Sequence, residues 1–268
     1  MDRIEPSRIE AVLKHRIPRI KVLWTEETKS TNEDLLSLIK RDAHAWTVLI
    51  ADHQTRGHGR HRRHWASPVG GLYFSVLLSL NIDDPPVTLA PLTVGIALYE
   101  AIKSEAKSRG GAVELRLKWP NDVLTEQGKL AGILCESIEL NEGEIGVIAG
   151  IGVNMKPLDE ETRRLILDPT TSLFEEAELD WTRAGLITTF LLRLSDKLED
   201  LSNEPEKIRK AWLEISESVG KQVKVKSPSG IVEGIVRGIS DAGGLLVMNS
   251  NGIEVEITSS ERIDEHHE

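Results

Sequence analysis

The chain has 268 residues, of which 40% are apolar and 28% charged, and a formal net charge of −10. That length can bury a substantial core, as one large domain or one medium domain with a small appendage, while the acidic balance argues against a general nucleic-acid binder. No apolar run approaches the roughly 20 residues that cross a bilayer, and MDRIEPSRIE carries charge where a signal peptide has its apolar core, so a cytoplasmic protein away from membranes is expected.

In chain order, Ser7 to His15 reads as one short helix, with Ser7 and Glu10 at capping-box spacing. About twenty residues precede the first strand, IKVLW, too few for a complete helix-turn-helix domain. STNEDLLSLIKR repeats the capping-box spacing at Ser30 and Glu33 and continues with Leu35, Leu36, Leu38 and Ile39 on a helical period. Ser30, Thr31 and Asn32 therefore stand at a helix N-terminus, where backbone N–H groups are free. WTVLIAD and GLYFSVLLSL read as buried strands, and VTLAPLTVGIALYEAIKSEAK as a long amphipathic helix. LRLKWPND ends a strand at Pro120, whose ring removes a donor and restricts Trp119.

KLAGILCESIEL and EIGVIAGIGVNM are separated only by NEG, a connection that permits an antiparallel hairpin but no parallel crossover. The expected class is therefore α+β. Cys135, the single cysteine, excludes an internal disulfide and a cysteine-paired metal site; in GILCES it reads as a buried thiol with nothing nearby to activate it. Trp181 to about Glu217 is helical in pattern. Beyond Gly220 come QVKVKS, GIVEGIVRGIS, GLLVMNS and IEVEITSS, punctuated by SPSG, DAGG and NSNG, which read as a small β-barrel. A boundary near Val219 divides the chain into 1–218 and 219–268.

Between the second and third strand candidates lies GHGRHRRHW, residues 57–65. Gly57 and Gly59 give it conformational freedom, and Arg56, Arg60, Arg62 and Arg63 offer bidentate donors for phosphate or carboxylate; the alternative is a solvated charged hairpin tip. His58, His61 and His64 recur every three residues, a ligand spacing only on a helix, which the glycines interrupt, and the arginines repel a cation, so no metal site is expected. Lys118 stands where a strand stops, beside Trp119, Pro120, Asn121 and Asp122; it is either an exposed strand-end charge or a lysine reaching an anion across the sheet edge. GIGVN at 150–154 lacks the third glycine and following helix of a dinucleotide fingerprint, and no G-x-x-x-x-G-K-[ST] occurs, so any ATP site is of another kind.

Taken together, STN at 30–32, Gln54 followed by GHGRHRRHWASPVGGLYFS, KWPND at 118–122, KLAGILCE at 129–136, GIGVN and the C-terminal barrel resemble the biotin protein ligases in order and spacing. The resemblance covers the chain from about residue 22 to its end. It implies an α+β fold, with a mixed, largely antiparallel sheet and helices in a class II synthetase-like catalytic domain, plus an SH3-like barrel. It implies an enzyme that joins biotin to ATP, giving biotinyl-5′-AMP and pyrophosphate, and passes the biotinyl group to one lysine of a biotin carboxyl carrier protein of acetyl-CoA carboxylase or a related carboxylase. Mg²⁺ is implied with the ATP, as a clamp on phosphate charge rather than through a protein ligand set.

By the same resemblance, Ser30, Thr31, Asn32 and Gln54 contact biotin, and His58, Gly59 and Arg60 close over it in a loop that is mobile when empty. Lys118 meets the carboxylate or acyl-phosphate oxygen, acting with Arg60 as the catalytic pair, and Arg63, Trp65, Asn121, Lys129 and Asn154 are the candidates for the nucleotide. Asp122 is either the base for lysine transfer or the orienter of Lys118. The chain departs from the family at His58, commonly arginine, and at Arg62, commonly glycine. Homodimerisation through a sheet edge is common in the family. The rivals are a lipoate or octanoyl ligase, against which KWPND and the barrel argue, and a biotin-sensing repressor, whose DNA-binding domain the leading residues cannot build.

Overall fold

Pro6, with its φ preset and no N–H to lose, opens helix α1 (Pro6–Leu13), whose Ile9 and Leu13 face the core. The computed structural model describes residues 3–40, 43–81, 87–141, 144–166, 168–227, 230–260 and 262–266. The Ser7–Glu10 capping box does not form: Glu5 is the cap, Ser7 lies inside the helix, and Glu10 instead accepts a hydrogen bond from the Val22 N–H at 2.8 Å. That bond ties α1 to β1 (Lys21–Thr28).

Helix α2 (Thr31–Ile39) does start after Ser30, but the Ser30 hydroxyl makes no capping bond, and Glu33 pairs with Arg62 at 3.3 Å rather than closing a box. Next come β2 (Thr47–Gln54), β3 (Leu72–Asn81), the 19-residue helix α3 (Ala90–Ser108), β4 (Arg116–Lys118) and β5 (Asp122–Leu124). The Trp119–Pro120 peptide, between β4 and β5, is cis. Then follow β6 (Lys129–Asn141) and β7 (Glu144–Val153), the short helices α4 (Glu160–Arg164) and α5 (Leu173–Glu176), and the long α6 (Arg183–Asn203) and α7 (Pro205–Ile215).

The seven strands form one sheet in the order β1-β2-β3-β7-β6-β5-β4. Only β1 and β2 run parallel; β6 and β7 pair antiparallel along their length, as the short connection requires, although its residues 142 and 143 lie outside the described ones. Strand alternation gives the sheet two unlike faces. Phe74 and Val76 of β3, Ile133 of β6, and Val147, Ala149, Ile151 and Val153 of β7 pack toward α3 and α6 in the main core. Phe74 meets Phe190 of α6 edge-to-face, with ring centroids 5.3 Å apart. On the opposite face Leu77 and Ile148 pack under Leu35 of α2 in a much smaller cluster, and the rest of that face is left for other use.

After α7 a second sheet, β11-β10-β9-β8-β12, forms the antiparallel SH3-like barrel, from β8 (Gln222–Ser227) and β9 (Gly230–Ile239) through β10 (Leu245–Asn249) and β11 (Glu254–Ile257) to β12 (Arg262–His266). The sequence pattern anticipates four of these strands and misses β12, whose RIDEH pairs with β8. Of the SPSG turn, Pro228 and Ser229 lie outside the described residues. Val223, Val236, Leu245 and Ile257 of the barrel join the main core. The KWPND turn is fixed to it as well, because buried Trp119 Nε1 donates to the Gly243 carbonyl at 2.9 Å. No helix of the described residues is long and apolar enough to cross a membrane.

Candidate active site

The side of the sheet away from α3 and α6 carries a cavity of about 1290 Å³, and all the residues singled out above for biotin or nucleotide line it. Its floor is made of glycines. Gly150 and Gly152 of β7 alternate with the core-facing Ala149, Ile151 and Val153, and Gly132 of β6 lies opposite Gly152 in the register. A Cβ at Gly150 would run into the Asn32 amide, one at Gly152 into Trp65 Nε1, and one at Gly132 would stand 2.9 Å from the Trp65 ring. GIGVN thus serves here by omitting side chains, so that Asn32 and Trp65 can lie directly on the strands.

At one end of this floor, the start of α2 meets the end of β2. The Thr31 N–H donates to Gln54 Oε1 at 2.9 Å, and Gln54 Nε2 donates to Ser67 Oγ at 2.9 Å, so the Gln54 amide is fixed in orientation. Asn32 Nδ2 donates to the Glu136 carboxylate at 2.7 Å. An ionised carboxylate can only accept, so Asn32 Oδ1 must face the other way, where Ser75 Oγ lies at 2.6 Å and donates to it. Ser75 Oγ is also 2.7 Å from Thr31 Oγ1. Thr31, Asn32 and Ser75 are all buried. The result is a polar, directionally ordered patch at the buried end of the cavity.

The basic loop lines the same cavity. It is a hairpin: His58 and His64 bridge, the Gly59 N–H donates to the Arg63 carbonyl at 2.8 Å, and the Trp65 N–H donates to the Gly57 carbonyl at 2.9 Å. Arg60 points into the cavity wall, and burial lowers its guanidinium pKa; Asp122 opposes that shift and Arg63 adds to it. An arginine remains charged nonetheless, so Arg60 is a partly dehydrated cation. Arg62, at the position where the family commonly has glycine, has φ 57°, a left-handed conformation that explains why glycine suits it. Arg56 and Arg62 do not line the cavity.

On the other side, the β4–β5 register sets Lys118 across from Asp122. Asp122 lies 2.7 Å from Lys129 Nζ, and that ammonium stands 5.3 Å over the Trp65 ring. Asn121 Nδ2 donates to the Ile133 carbonyl at 2.7 Å. Buried Asn154 donates to the carbonyls of Lys129 and Thr171, at 3.3 and 3.0 Å, and so pins the segment before α5 to the cavity wall. Cys135 packs against the core instead, where burial first and then the Glu136 charge push its thiol up to about 12, against any nucleophilic use. Among the described residues no group of three or more His, Cys, Asp or Glu side chains converges as metal ligands would.

Reading the sequence for chemistry missed Gly132, Gly150, Ser67, Ser75 and Glu136, all of which shape the site. The glycine floor leaves a signal, the alternation of glycine with apolar residues in AGIGV. The partners of Asn32 leave none, because Ser75 and Glu136 come from strands far away in the chain; Gln54 is held by Ser67, in the loop 13 residues on, and by Thr31 at the start of α2.

Residues 24–154 match the biotin/lipoate A/B protein ligase family, and residues 219–261 match the biotin protein ligase C-terminal domain. The chain is 32% identical over 257 residues to biotin--[acetyl-CoA-carboxylase] ligase of Mycobacterium tuberculosis, covering 91% of each. It is 31% identical to the corresponding ligase of Paracoccus denitrificans, over 85% of this chain and 94% of that one. Its fold is similar to biotin protein ligase from Aquifex aeolicus in complex with biotin and ATP, with TM-score 0.75, 31% identity, and 91% of this chain and 99% of that one covered.

Proposed function

The chain belongs to the biotin protein ligases, and from that premise we propose how its cavity makes biotinyl-5′-AMP from biotin and ATP and then biotinylates a carrier protein. The observation that carries the reading is the partly buried Arg60 in a hairpin that lines one cavity with the hydrogen-bonded Thr31, Asn32 and Gln54. Biotin's own carboxylate is the nucleophile. It is ionised at neutral pH, so no general base is needed, and the obstacle to its attack on the α-phosphorus is the repulsion between two anions.

Arg60 and Lys118 counter that repulsion in this proposal, with Arg63 and Lys129 acting on the phosphate side. Dehydration makes such cations worth more to an incoming anion than they would be in water. Ser30, Thr31, Asn32 and Gln54 hold the uncharged ring system of biotin, His58 and Gly59 complete the cover, and Trp65, Asn121 and Asn154 shape the nucleotide end. The volume of about 1290 Å³ supports occupancy by both substrates at once. Among the described residues no set of protein ligands converges as a metal cage; Mg²⁺ bound with ATP would be held by the phosphates and would supply charge neutralisation there. Asp122 orients Lys129, its ion-pair partner, rather than serving as the base for transfer.

The acceptor is one lysine of a biotin carboxyl carrier protein. The division into a catalytic domain, 1–218, and a barrel, 219–268, an association of two copies through an edge strand of the larger sheet, action in the cytoplasm and the absence of a nucleic-acid partner belong to the same proposal; the net charge of −10 supports the last. The test is to incubate the protein with ATP, biotin and a purified carrier domain. A mass gain of one biotinyl group on a single lysine, with AMP released, is expected; modification with lipoate in place of biotin would transfer the assignment to the lipoate ligases.

A further inference from the structure

The basic loop is fastened at its tip by the C-terminal barrel. The turn at Arg60–Arg62 puts His61 at φ 55° and Arg62 at φ 57°, a left-handed region that side-chain-bearing residues enter only at a cost and keep only when their surroundings hold them there. Besides the Arg63 N–H to Arg60 carbonyl bond that closes it, His61 and Arg62 of this turn each make a side-chain contact with a distant segment. The Arg62–Glu33 pair is exposed, at 78% and 49% for its side chains, and contributes little. His61 Nε2 lies 2.8 Å from the backbone carbonyl oxygen of Ser260, 199 residues further along the chain. Ser260 is buried, at 4% exposure, ahead of β12. A carbonyl only accepts, so Nε2 is the donor; both the neutral ring protonated there and the imidazolium can fill that role.

We propose that His61 is a positioning residue that clips the loop carrying Arg60 to the barrel, so that the docked barrel keeps the loop over the ligand. Ser260 and Ile263 of the barrel line the cavity beside His61. The barrel is anchored in turn at the KWPND turn through Trp119 and Gly243. Loop, barrel and KWPND turn are therefore joined in series, with His61 as the link to the glycine hairpin. The effect on biotin rests on the ligase reading above, whereas the clasp itself does not.

The test compares full-length wild type with His61→Ala and His61→Gln. In His61→Ala, backbone hydrogen exchange should accelerate in both 57–65 and 258–263. The KM for biotin and the rate of biotinyl-AMP release should rise on the order of fivefold, the size expected for one hydrogen bond. The kcat at saturating substrate should stay within about twofold, the pattern of lost binding rather than lost chemistry. His61→Gln, which keeps an N–H donor of similar reach, should recover most of the KM. Unchanged exchange in both segments with unchanged KM and release would overturn the clasp, as would equal losses in both variants. If wild type forms no biotinyl-AMP, the ligase reading fails, and hydrogen exchange alone then decides the clasp.

Discussion

In β7, Val147, Ala149, Ile151 and Val153 face α3 and α6, while Ile148, Gly150 and Gly152 face α2 and the cavity. β6 alternates in the same way, with Ala131 and Ile133 packed in the core and Gly132 and Leu134 on the cavity side, although Ile133 also touches the cavity. One face is filled to exclude water; the other is stripped of side chains so that Trp65 and Asn32 can lie close to the backbone. Stability and ligand binding are thus assigned to alternate residues of the same strands, and a substitution one position along should change which of the two is lost.

The sharpest way to break that comparison is to empty the filled face. Phe190→Ala removes a fully buried ring that packs on Phe74, and should cost about 3–5 kcal/mol of stability in denaturant unfolding with biotin affinity unchanged in the protein that remains folded. On the stripped face the outcome should be reversed. Gly152→Val drives a side chain into Trp65 and should lower adenylation about 100-fold, as misplacements of about 1 Å do, with little change in unfolding midpoint. Gly150→Ala, directed at Asn32, should act on the KM for biotin rather than for ATP, and equal effects of the two glycine variants on both substrates would erase the proposed biotin and nucleotide ends.

Smaller effects probe the cover and the far wall. Arg60→Gly removes the partly buried cation and should raise release of free biotinyl-AMP about tenfold, the scale of a charge-assisted hydrogen bond; release no faster than wild type would refute shielding by the loop. Asp122→Asn loosens Lys129 and should raise the KM for ATP about threefold, as for a partly exposed ion pair. Transfer from preformed adenylate should then keep its wild-type rate across pH, and a slowed transfer would make Asp122 the base after all.

Much of this was legible before the fold. The NEG connection between two apolar runs already permitted an antiparallel hairpin and no parallel crossover, and the arginines of the basic loop already offered donors for an anion, of which Arg60 and Arg63 line the cavity and Arg56 and Arg62 do not. The capping boxes failed because spacing shows which partner Glu10 and Glu33 could take, not which competing tertiary partner, Val22 N–H or Arg62, they do take. Nothing in the sequence pairs Glu136 with Asn32, 104 residues away; the fold brings them to 2.7 Å. β12 was missed since RIDEH, short and charged, gains its strand character from pairing with β8.

The most direct test of the account is ATP–pyrophosphate exchange by the purified protein with biotin, with lipoate and with no acid, since it isolates adenylation and needs no carrier. Exchange that depends on biotin, and that Gly152→Val lowers about 100-fold while the protein stays folded, is the predicted result. Exchange with lipoate alone, or none with either acid, would contradict it.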